Sequence, residues 1–188
     1  MRHPTRPRAE NSLTPRARTT LVQVRNRRKG SGQMSKSLKR VKAALQDAGI
    51  PAEIVETEGS RTAEDAARAV GCEQDQIVKS LIFKGADTGR MILFLTAGGN
   101  QLLPERAQSA AGEDLARADA DDVRAQTGFA IGGVSPVGHL SPVTCYMDET
   151  LLGFDTVWAA AGTPRHVFAI APDTLRTLTG AVVANFAG

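Results

Sequence analysis

Lys79 is the residue of this sequence best placed to do chemistry, because it puts a cation in the middle of an apolar segment. The segment Ile77–Lys84 is short and rich in β-branched residues, which predicts a β-strand. Strand alternation places Lys79 on one face with Ile77, Leu81 and Phe83. A buried ammonium needs a partner, a water-filled pocket or a chemical task, unless its head simply reaches water at a strand edge.

The second candidate is the loop Gly132–His139, which lies in a glycine-rich segment. Gly132 and Gly133 permit backbone angles that other residues avoid, and they let a ligand approach the main chain. Pro136 fixes its own φ and restricts the residue before it. Such a loop can aim N–H groups at one point, as an oxyanion or carbonyl site requires, although a tight connection between strands would use the same residues.

Other side chains that carry chemistry are few. His139 could donate a hydrogen bond to a ligand, or it could be a structural residue beside the loop. Cys72 lies just beyond a helix stop and Cys145 lies in a strand with no basic neighbour in sequence, so both are expected to be packing residues. The sequence has no CxxC and no Cys/His cluster, so we expect neither a structural zinc site nor a disulfide framework, and a reducing cytoplasm fits. It also has no motif of a nicotinamide enzyme, a P-loop NTPase, a zinc protease or an α/β-hydrolase.

The elements that must position these residues form an α/β pattern. Hydrophobic periodicity and turn residues predict strands at 52–57, 77–84, 90–97, 142–147, 156–161, 166–171 and 181–186. Capping residues and the helical period predict helices at 37–49, 62–71, 104–111, 119–126 and 172–178. Strands outnumber helices and no regular βαβ alternation is visible. We therefore expect a mixed, strongly curved, barrel-like sheet with helices packed around it.

Charge divides the chain into two parts. Residues 1–30 hold nine basic residues and one acid, whereas the remainder holds 14 basic and 19 acidic residues. The folded part is therefore mildly acidic, and the positive net charge belongs to the leader. Aromatic residues make up only 4% of the chain, which argues against binding of single-stranded nucleic acid by base stacking. No apolar run is long enough to span a bilayer.

We interpret residues 1–35 as a disordered basic leader and residues 36–188 as one domain. Three origins of the leader remain open. It could be an extension upstream of a natural start at Met34, an arm that contacts RNA phosphates, or an organelle-targeting segment. The first is favoured because a helix begins cleanly after Met34. The leader lacks the apolar core of a secretory signal.

Three motifs taken together resemble the YbaK/ProX family, the free-standing relatives of the editing domain inserted in bacterial prolyl-tRNA synthetases. They are Ile77–Leu81 around the lysine, Gly128–His139, and Trp158–Gly162. The similarity covers about residues 36–186. By this resemblance Lys79 matches the essential lysine of the family, and Gly132 and Pro136 match its GxxxP loop.

The resemblance implies a cytoplasmic trans-editing deacylase, which hydrolyses the ester of a mischarged tRNA, expected to be of the tRNA(Pro) type, without metal or other cofactor. Its expected partners are the acceptor end of aminoacyl-tRNA and, as a candidate, prolyl-tRNA synthetase. Lys79 and Gly132 are expected to be catalytic. The expected substrate-binding residues are Ser80, Thr96, Gly133, Val134, Ser135, Pro136 and His139.

The chain departs from the family pattern at two places. Ala159–Ala161 stands where some members carry a serine, which puts cysteine specificity in doubt. Gly98–Pro104 lacks the charged residues expected in close relatives. The alternative function is a non-catalytic module that binds aminoacyl-tRNA, or a nucleic-acid-binding accessory protein, with the basic leader supplying the affinity.

Overall fold

The computed structural model describes residues 34–51, 53–60 and 62–188, so all but the last two residues of the expected leader lie outside the described residues. The helices in these ranges are α1 (Lys36–Asp47), α2 (Ala63–Val70), α3 (Pro104–Ala111), α4 (Ala120–Thr127) and α5 (Pro172–Thr179). The strands are β1 (Ile54–Glu56), β2 (Ile77–Gly85), β3 (Met91–Ala97), β4 (Leu115–Arg117), β5 (Thr144–Met147), β6 (Val157–Thr163), β7 (His166–Ile170) and β8 (Val182–Val183).

Helices α1 and α2 begin at residues whose side chains cap them. The side chains of Ser35 and Thr62 accept hydrogen bonds from the N–H groups of Leu38 and Asp65, at the starts of α1 and α2. Each bond satisfies a donor that has no partner inside the helix. Helix α2 ends at Gly71, whose φ of 74° lies in the left-handed region that glycine adopts without strain.

The strands form one mixed sheet in the order β1-β7-β6-β2-β3-β5-β8, with β4 paired to β2. Strands β2 and β3 form an antiparallel hairpin with an unbroken register from Val78 opposite Ala97 to Lys84 opposite Met91. Strand β6 runs parallel to β2, and β5 runs parallel to β3. The β2–β3 hairpin therefore lies at the centre of the sheet and is flanked by parallel strands on both sides.

The two faces of the hairpin contribute to different apolar clusters. Val78 and Ile82 pack in the main core, which also receives residues from α1, β5, β6 and β7. Leu81 and Phe83, from the opposite face, pack in a second cluster around Phe94 and Phe186. The alternation expected for this strand is therefore observed, and Lys79 belongs to the second of these faces.

The expected fold class, a mixed α/β fold, is confirmed. All seven strands and all five helices inferred from the sequence are present, although β1 and β8 are shorter than expected. Strand β4 was not expected, because its three residues carry no alternating apolar pattern. The barrel-like curvature of the sheet stays a prediction.

Candidate active site

The β2–β3 hairpin places Lys79 directly opposite Thr96. Directly opposed residues of an antiparallel pair project from the same face of the sheet, so the lysine and the hydroxyl are neighbours. Thr96 is fully buried, and its Oγ1 has no hydrogen-bond partner among the described residues. A buried hydroxyl without a partner costs free energy, so this position is unusual in the core.

The Lys79 side chain is half-buried, and its ammonium donates a hydrogen bond to the main-chain oxygen of Asn100. Burial lowers the pKa of Lys79 below its ordinary value, because desolvation penalises the charged form. The carboxylates of Asp148 and Asp75 oppose this shift. The site thus presents a cation in partly apolar surroundings, with two acids close enough to favour its charged form.

Asp148 is the buried acid of this neighbourhood, and the sequence interpretation missed it. Its carboxylate accepts hydrogen bonds from the N–H of Ala97 at 3.1 Å, the side-chain amide of Asn100 at 2.9 Å and the N–H of Thr150 at 3.0 Å. In the sequence, Asp148 is visible only as an aspartate two residues before a threonine at the end of a predicted strand, which is a common turn pattern. That pattern predicts a turn but gives no hint of the contact with Asn100.

The segment after β3 is held from a second side by Asp75. Its carboxylate accepts the N–H of Gly99 at 2.7 Å. Asp75 lies in the short 3-10 helix Gln74–Gln76 just before β2, and Gly99 follows β3. This bond therefore links the segment N-terminal to β2 with the segment C-terminal to β3. The main chain that bears the Asn100 oxygen is therefore fixed on both sides.

Ser80 lies next to Lys79 in sequence but on the other face of β2, opposite Leu95. Its Oγ is also buried without a hydrogen-bond partner among the described residues. Ser80 therefore does not share a face with the Lys79 ammonium, whereas Thr96 does.

In the glycine-rich loop, Gly132 and Gly133 have different surroundings. Gly132 has a φ of 87°, and no atom lies within 4 Å of the place where a Cβ would be. At Gly133 a Cβ would lie 2.7 Å from the Cα of Thr163, and the N–H of Gly133 donates to the oxygen of Ala130 at 3.0 Å. Gly133 is therefore required for packing, while the main chain at Gly132 is open to a ligand.

Helix α1 anchors the beginning of this segment through Arg40. Its guanidinium donates to the oxygen of Gly128 at 3.0 Å and lies 5.2 Å from the ring centroid of Phe129. The oxygen of Gly128 belongs to the C-terminus of α4, where a cation is favourable. The guanidinium thus joins α1 to the residue from which the loop departs.

His139 closes the loop on itself. Its Nε2 is 2.7 Å from the oxygen of Ser135, and its ring packs edge-to-face on Phe129. Burial lowers the pKa of His139, the bond to Ser135 opposes this, and the charge of Arg40 lowers it further. A neutral imidazole with Nε2–H donating to Ser135 satisfies these contacts, so this nitrogen is engaged within the loop.

The structure places Lys79 opposite Thr96 on the β2–β3 hairpin, and the expected loop residues lie in their own segment of the chain. Val134, Ser135 and Pro136 are buried, and Val134 belongs to the main core. Residues 136–143 also line an open depression of about 560 Å³ with Ala44, Leu178 and Thr179. Within the described part of the chain, no hydrogen bond joins Lys79 to residues 132–139.

Metal-ligand groups, apolar helices and thiols are the remaining features of residues 34–51, 53–60 and 62–188 that bear on other chemistry. These ranges contain no group of three or more His, Cys, Asp or Glu side chains that could hold a metal ion. None of their helices is long and apolar enough to cross a membrane. Burial raises the pKa of Cys72 to about 11 and that of Cys145 to about 12, so neither thiol is a reactive nucleophile.

Comparison with known proteins gives a consistent result. Residues 57–178 match the family described as the aminoacyl-tRNA editing domain. A solved structure of a candidate trans-editing enzyme for prolyl-tRNA synthetase superposes with a TM-score of 0.78 at 47% identity, covering 83% of this chain and 99% of that one.

Two sequence relatives are more distant. A candidate Cys-tRNA(Pro)/Cys-tRNA(Cys) deacylase, EbsC of Enterococcus faecalis, is 25% identical over 129 residues, which are 69% of this chain and 79% of EbsC. The proline–tRNA ligase of Limosilactobacillus fermentum is 30% identical over 101 residues, which are 52% of this chain and 18% of the ligase. The chain thus matches a small part of a synthetase and most of a free-standing protein.

Proposed function

The chain belongs to the aminoacyl-tRNA editing domain family, and on this premise we propose that it removes a wrongly attached small amino acid from tRNA(Pro), with the Lys79 ammonium as its central electrostatic group. The family and the structural relative make the chain a trans-editing aminoacyl-tRNA deacylase. The proposal adds the tRNA, the size of the amino acid and the role of the lysine.

Three relatives support tRNA(Pro) as the substrate. One is a candidate trans-editing enzyme for prolyl-tRNA synthetase, one a candidate deacylase of Cys-tRNA(Pro), and one a proline–tRNA ligase that matches this chain over a segment. Prolyl-tRNA synthetase is the corresponding candidate partner. The proposed compartment is the cytoplasm, where this synthetase charges tRNA(Pro). A small amino acid is proposed because EbsC is a candidate deacylase of a cysteine ester, and cysteine is small.

The reaction is hydrolysis of an ester. Water adds to the carbonyl carbon, and the carbonyl oxygen becomes an oxyanion. The bond to the ribose oxygen then breaks, the ribose oxygen takes the proton released by water, and the amino acid leaves with its carboxyl group. The ester is already activated, so the protein needs to position it and to stabilise the developing negative charge.

Lys79 suits the stabilising role as a fixed cation. A charge acts more strongly in partly apolar surroundings than in water. One N–H of the ammonium is engaged by Asn100, which leaves two donors for an ester oxygen. The half-buried ammonium on β2 is the single observation that carries the proposal, because it supplies the charge that the transition state requires.

Gly132 is the loop residue best suited to meet the ester. No atom occupies the space where its Cβ would be, whereas the N–H of Gly133 is engaged in a turn. We assign to the main chain at Gly132 the binding of the substrate carbonyl or of the attacking water. Val134, Ser135, Pro136 and His139 then support the loop, and Ser80 supports β2 from its other face.

An exposed lysine surface on α1 suits the approach of a polyanion. Lys36, Lys39 and Lys42 are exposed, and none of them takes part in an ion pair among the described residues. The same helix contacts Gly128 through Arg40 and Gly138 through its main chain, so these lysines lie on the helix that adjoins the loop. We propose that they meet phosphates of the tRNA acceptor arm.

The experiment that tests the proposal is a deacylation screen with the full chain. Its substrates are tRNA(Pro) charged with Ala, Cys, Ser, Thr or Pro, together with tRNA(Ala) charged with Ala. We expect fast hydrolysis of at least one small mischarged amino acid on tRNA(Pro), and no hydrolysis of Pro-tRNA(Pro). Equal rates on all of these esters, or none above the uncatalysed rate, would overturn the assigned specificity.

A further inference from the structure

Asp148 is a buried carboxylate to which the proposed chemistry assigns no role. It is only 4% exposed, and it lies directly after β5. Its own N–H donates to the oxygen of Leu95 at 2.9 Å, so the residue is fixed against β3 through main chain and side chain. A buried charge is retained only where its partners compensate the loss of water.

Asn100 connects this carboxylate to Lys79. The Asn100 side-chain amide donates to Asp148 Oδ2 and to Thr150 Oγ1, both at 2.9 Å. The Asn100 main-chain oxygen accepts from the Lys79 ammonium. One residue therefore has its side chain held by the acid and its carbonyl bound to the cation.

We propose that Asp148 and Asn100 are positioning residues for the Lys79 ammonium: the carboxylate fixes Asn100, and the Asn100 oxygen fixes the direction of the remaining ammonium donors. The inference rests on the proposed function of Lys79 in ester hydrolysis. It concerns residues from the ends of β3 and β5, which the parallel pairing of these strands brings together.

The physical reason is the flexibility of lysine. Its ammonium sits on a four-carbon stem, and an unfixed lysine samples many rotamers. A single acceptor with a fixed position selects among them, and a displacement of about 1 Å at a reacting centre costs on the order of 100-fold in rate. Asn100 provides that acceptor, and Asp148 keeps it in place.

The carboxylate also acts on the charge of the lysine. Desolvation lowers the pKa of Lys79, and Asp148 and Asp75 are the acids that counteract it. Asp75 contacts the same segment at the Gly99 N–H, from the 3-10 helix before β2. Removing the Asp148 charge therefore moves the Lys79 pKa further down, which measures the electrostatic coupling of the two groups, whereas the kcat and KM of Asn100→Ala measure positioning.

Two variants separate positioning from folding. Asn100→Ala keeps the main-chain oxygen but removes the side chain that holds it, and it leaves Asp148 bound to Ala97 and Thr150. Asp148→Asn keeps the shape, removes the charge and replaces one accepting oxygen by an NH₂ group, so it also weakens the hold on Asn100 or on Thr150. The matched control is Asp122→Asn, because Asp122 pairs with Lys84, the other lysine of β2, at 2.9 Å.

We expect kcat for the best substrate of the screen to fall about 10- to 100-fold in Asn100→Ala and in Asp148→Asn, with KM within about twofold of wild type. Asp122→Asn should keep the wild-type kcat. Wild-type kcat in Asn100→Ala would overturn the inference, and so would an equal fall in the control.

A second measurement needs no turnover. The Lys79 pKa is read by NMR from the pH dependence of its side-chain Cε resonance, in wild type, Asp148→Asn and Asp122→Asn. The inference predicts a lower pKa in Asp148→Asn only, and an unchanged pKa would contradict it.

If the wild-type protein hydrolyses none of the esters, the proposed function fails, and this titration still decides whether Asp148 affects the charge of Lys79. If Asp148→Asn does not fold, Asn100→Ala tests the positioning role. The expected result is a lower kcat or, if the wild-type protein shows no turnover, faster exchange of the Lys79 ammonium protons with water.

Discussion

Thr96 lies directly opposite Lys79 across the β2–β3 hairpin, fully buried and with a hydroxyl that has no partner among the described residues. In the proposed function the lysine supplies charge to the ester. We propose that the Thr96 hydroxyl, which has no partner among the described residues, contributes a hydrogen bond beside it.

Thr96→Val should leave the protein as stable as wild type or more stable, while slowing deacylation. The valine has the same shape, and it removes a buried hydroxyl whose desolvation costs about 1–3 kcal/mol. A lost hydrogen bond to substrate of about 0.5–1.5 kcal/mol lowers kcat/KM by roughly 2- to 10-fold. Chemical denaturation and deacylation kinetics measure both effects. Thr96→Ser keeps the hydroxyl and should retain more activity than Thr96→Val, and the reverse order would contradict this role.

The glycines of the loop should respond differently to substitution. Gly133→Ala places a Cβ 2.7 Å from the Thr163 backbone, and overpacking of this kind costs about 1–3 kcal/mol. Gly132→Ala meets no neighbouring atom and is penalised only for its left-handed φ, by about 1–2 kcal/mol. We expect Gly133→Ala to be the less stable variant in urea denaturation. Gly132→Ala should lose more deacylation activity than its loss of stability explains. A folded Gly132→Ala protein with wild-type activity would refute a role for Gly132 in binding the ester.

Reversing the lysine surface of α1 should weaken the binding of tRNA without changing the chemistry. In the triple variant Lys36→Glu/Lys39→Glu/Lys42→Glu we expect a higher KM for aminoacyl-tRNA and an unchanged kcat. The slope of log affinity against log salt should fall by about 0.7–0.9 for each phosphate that the variant no longer neutralises. Arg68→Glu is the control for one such reversal, Lys39→Glu, because both residues are exposed and both changes alter the charge equally. If Arg68→Glu raised KM for aminoacyl-tRNA as much as a reversal on α1 does, the effect would come from the net charge of the protein and not from the lysine surface of α1.

The pH dependence of deacylation should show the titration of Lys79. Its pKa lies below the ordinary 10.5, so the ammonium is lost as pH rises through a value lower than that. The enzyme-catalysed rate, after subtraction of alkaline ester hydrolysis, should therefore decline below pH 10.5. Because the unfolded chain binds this proton more tightly than the folded one, the Lys79 contribution to the free energy of unfolding rises with pH in the same window. A rate that is flat to pH 10.5 would contradict a catalytic ammonium.

Much of the fold was predictable because local signals were strong. The short, apolar and β-branched character of Ile77–Lys84 predicted the strand, and strand alternation then predicted the face of Lys79 and separated Ser80 from it. Thr62 and Gly71 marked the ends of α2. Strand β4 was missed, because three residues without an alternating apolar pattern give no period.

The surroundings of Lys79 were less predictable, because they depend on contacts between distant parts of the chain. Asn100 contributes its main-chain oxygen, which no side-chain pattern encodes. Asp148 reaches Asn100 only because β5 pairs with β3, and this pairing follows from the packing of the whole sheet. The expected substrate-binding roles of the loop residues stay predictions, and the variants of Gly132 and Gly133 test them in part.

The most direct measurement is the rate at which Lys79→Ala hydrolyses the best mischarged tRNA(Pro) of the screen, compared with Lys84→Ala. Lys84 lies on the same strand and forms an ion pair with Asp122 near the surface, so it controls for loss of a β2 lysine. We predict a loss of at least about 100-fold in kcat for Lys79→Ala, the usual cost of removing one oxyanion-stabilising donor, and near-wild-type kcat for Lys84→Ala. Undiminished kcat in a folded Lys79→Ala protein would contradict the central claim that this cation stabilises the transition state.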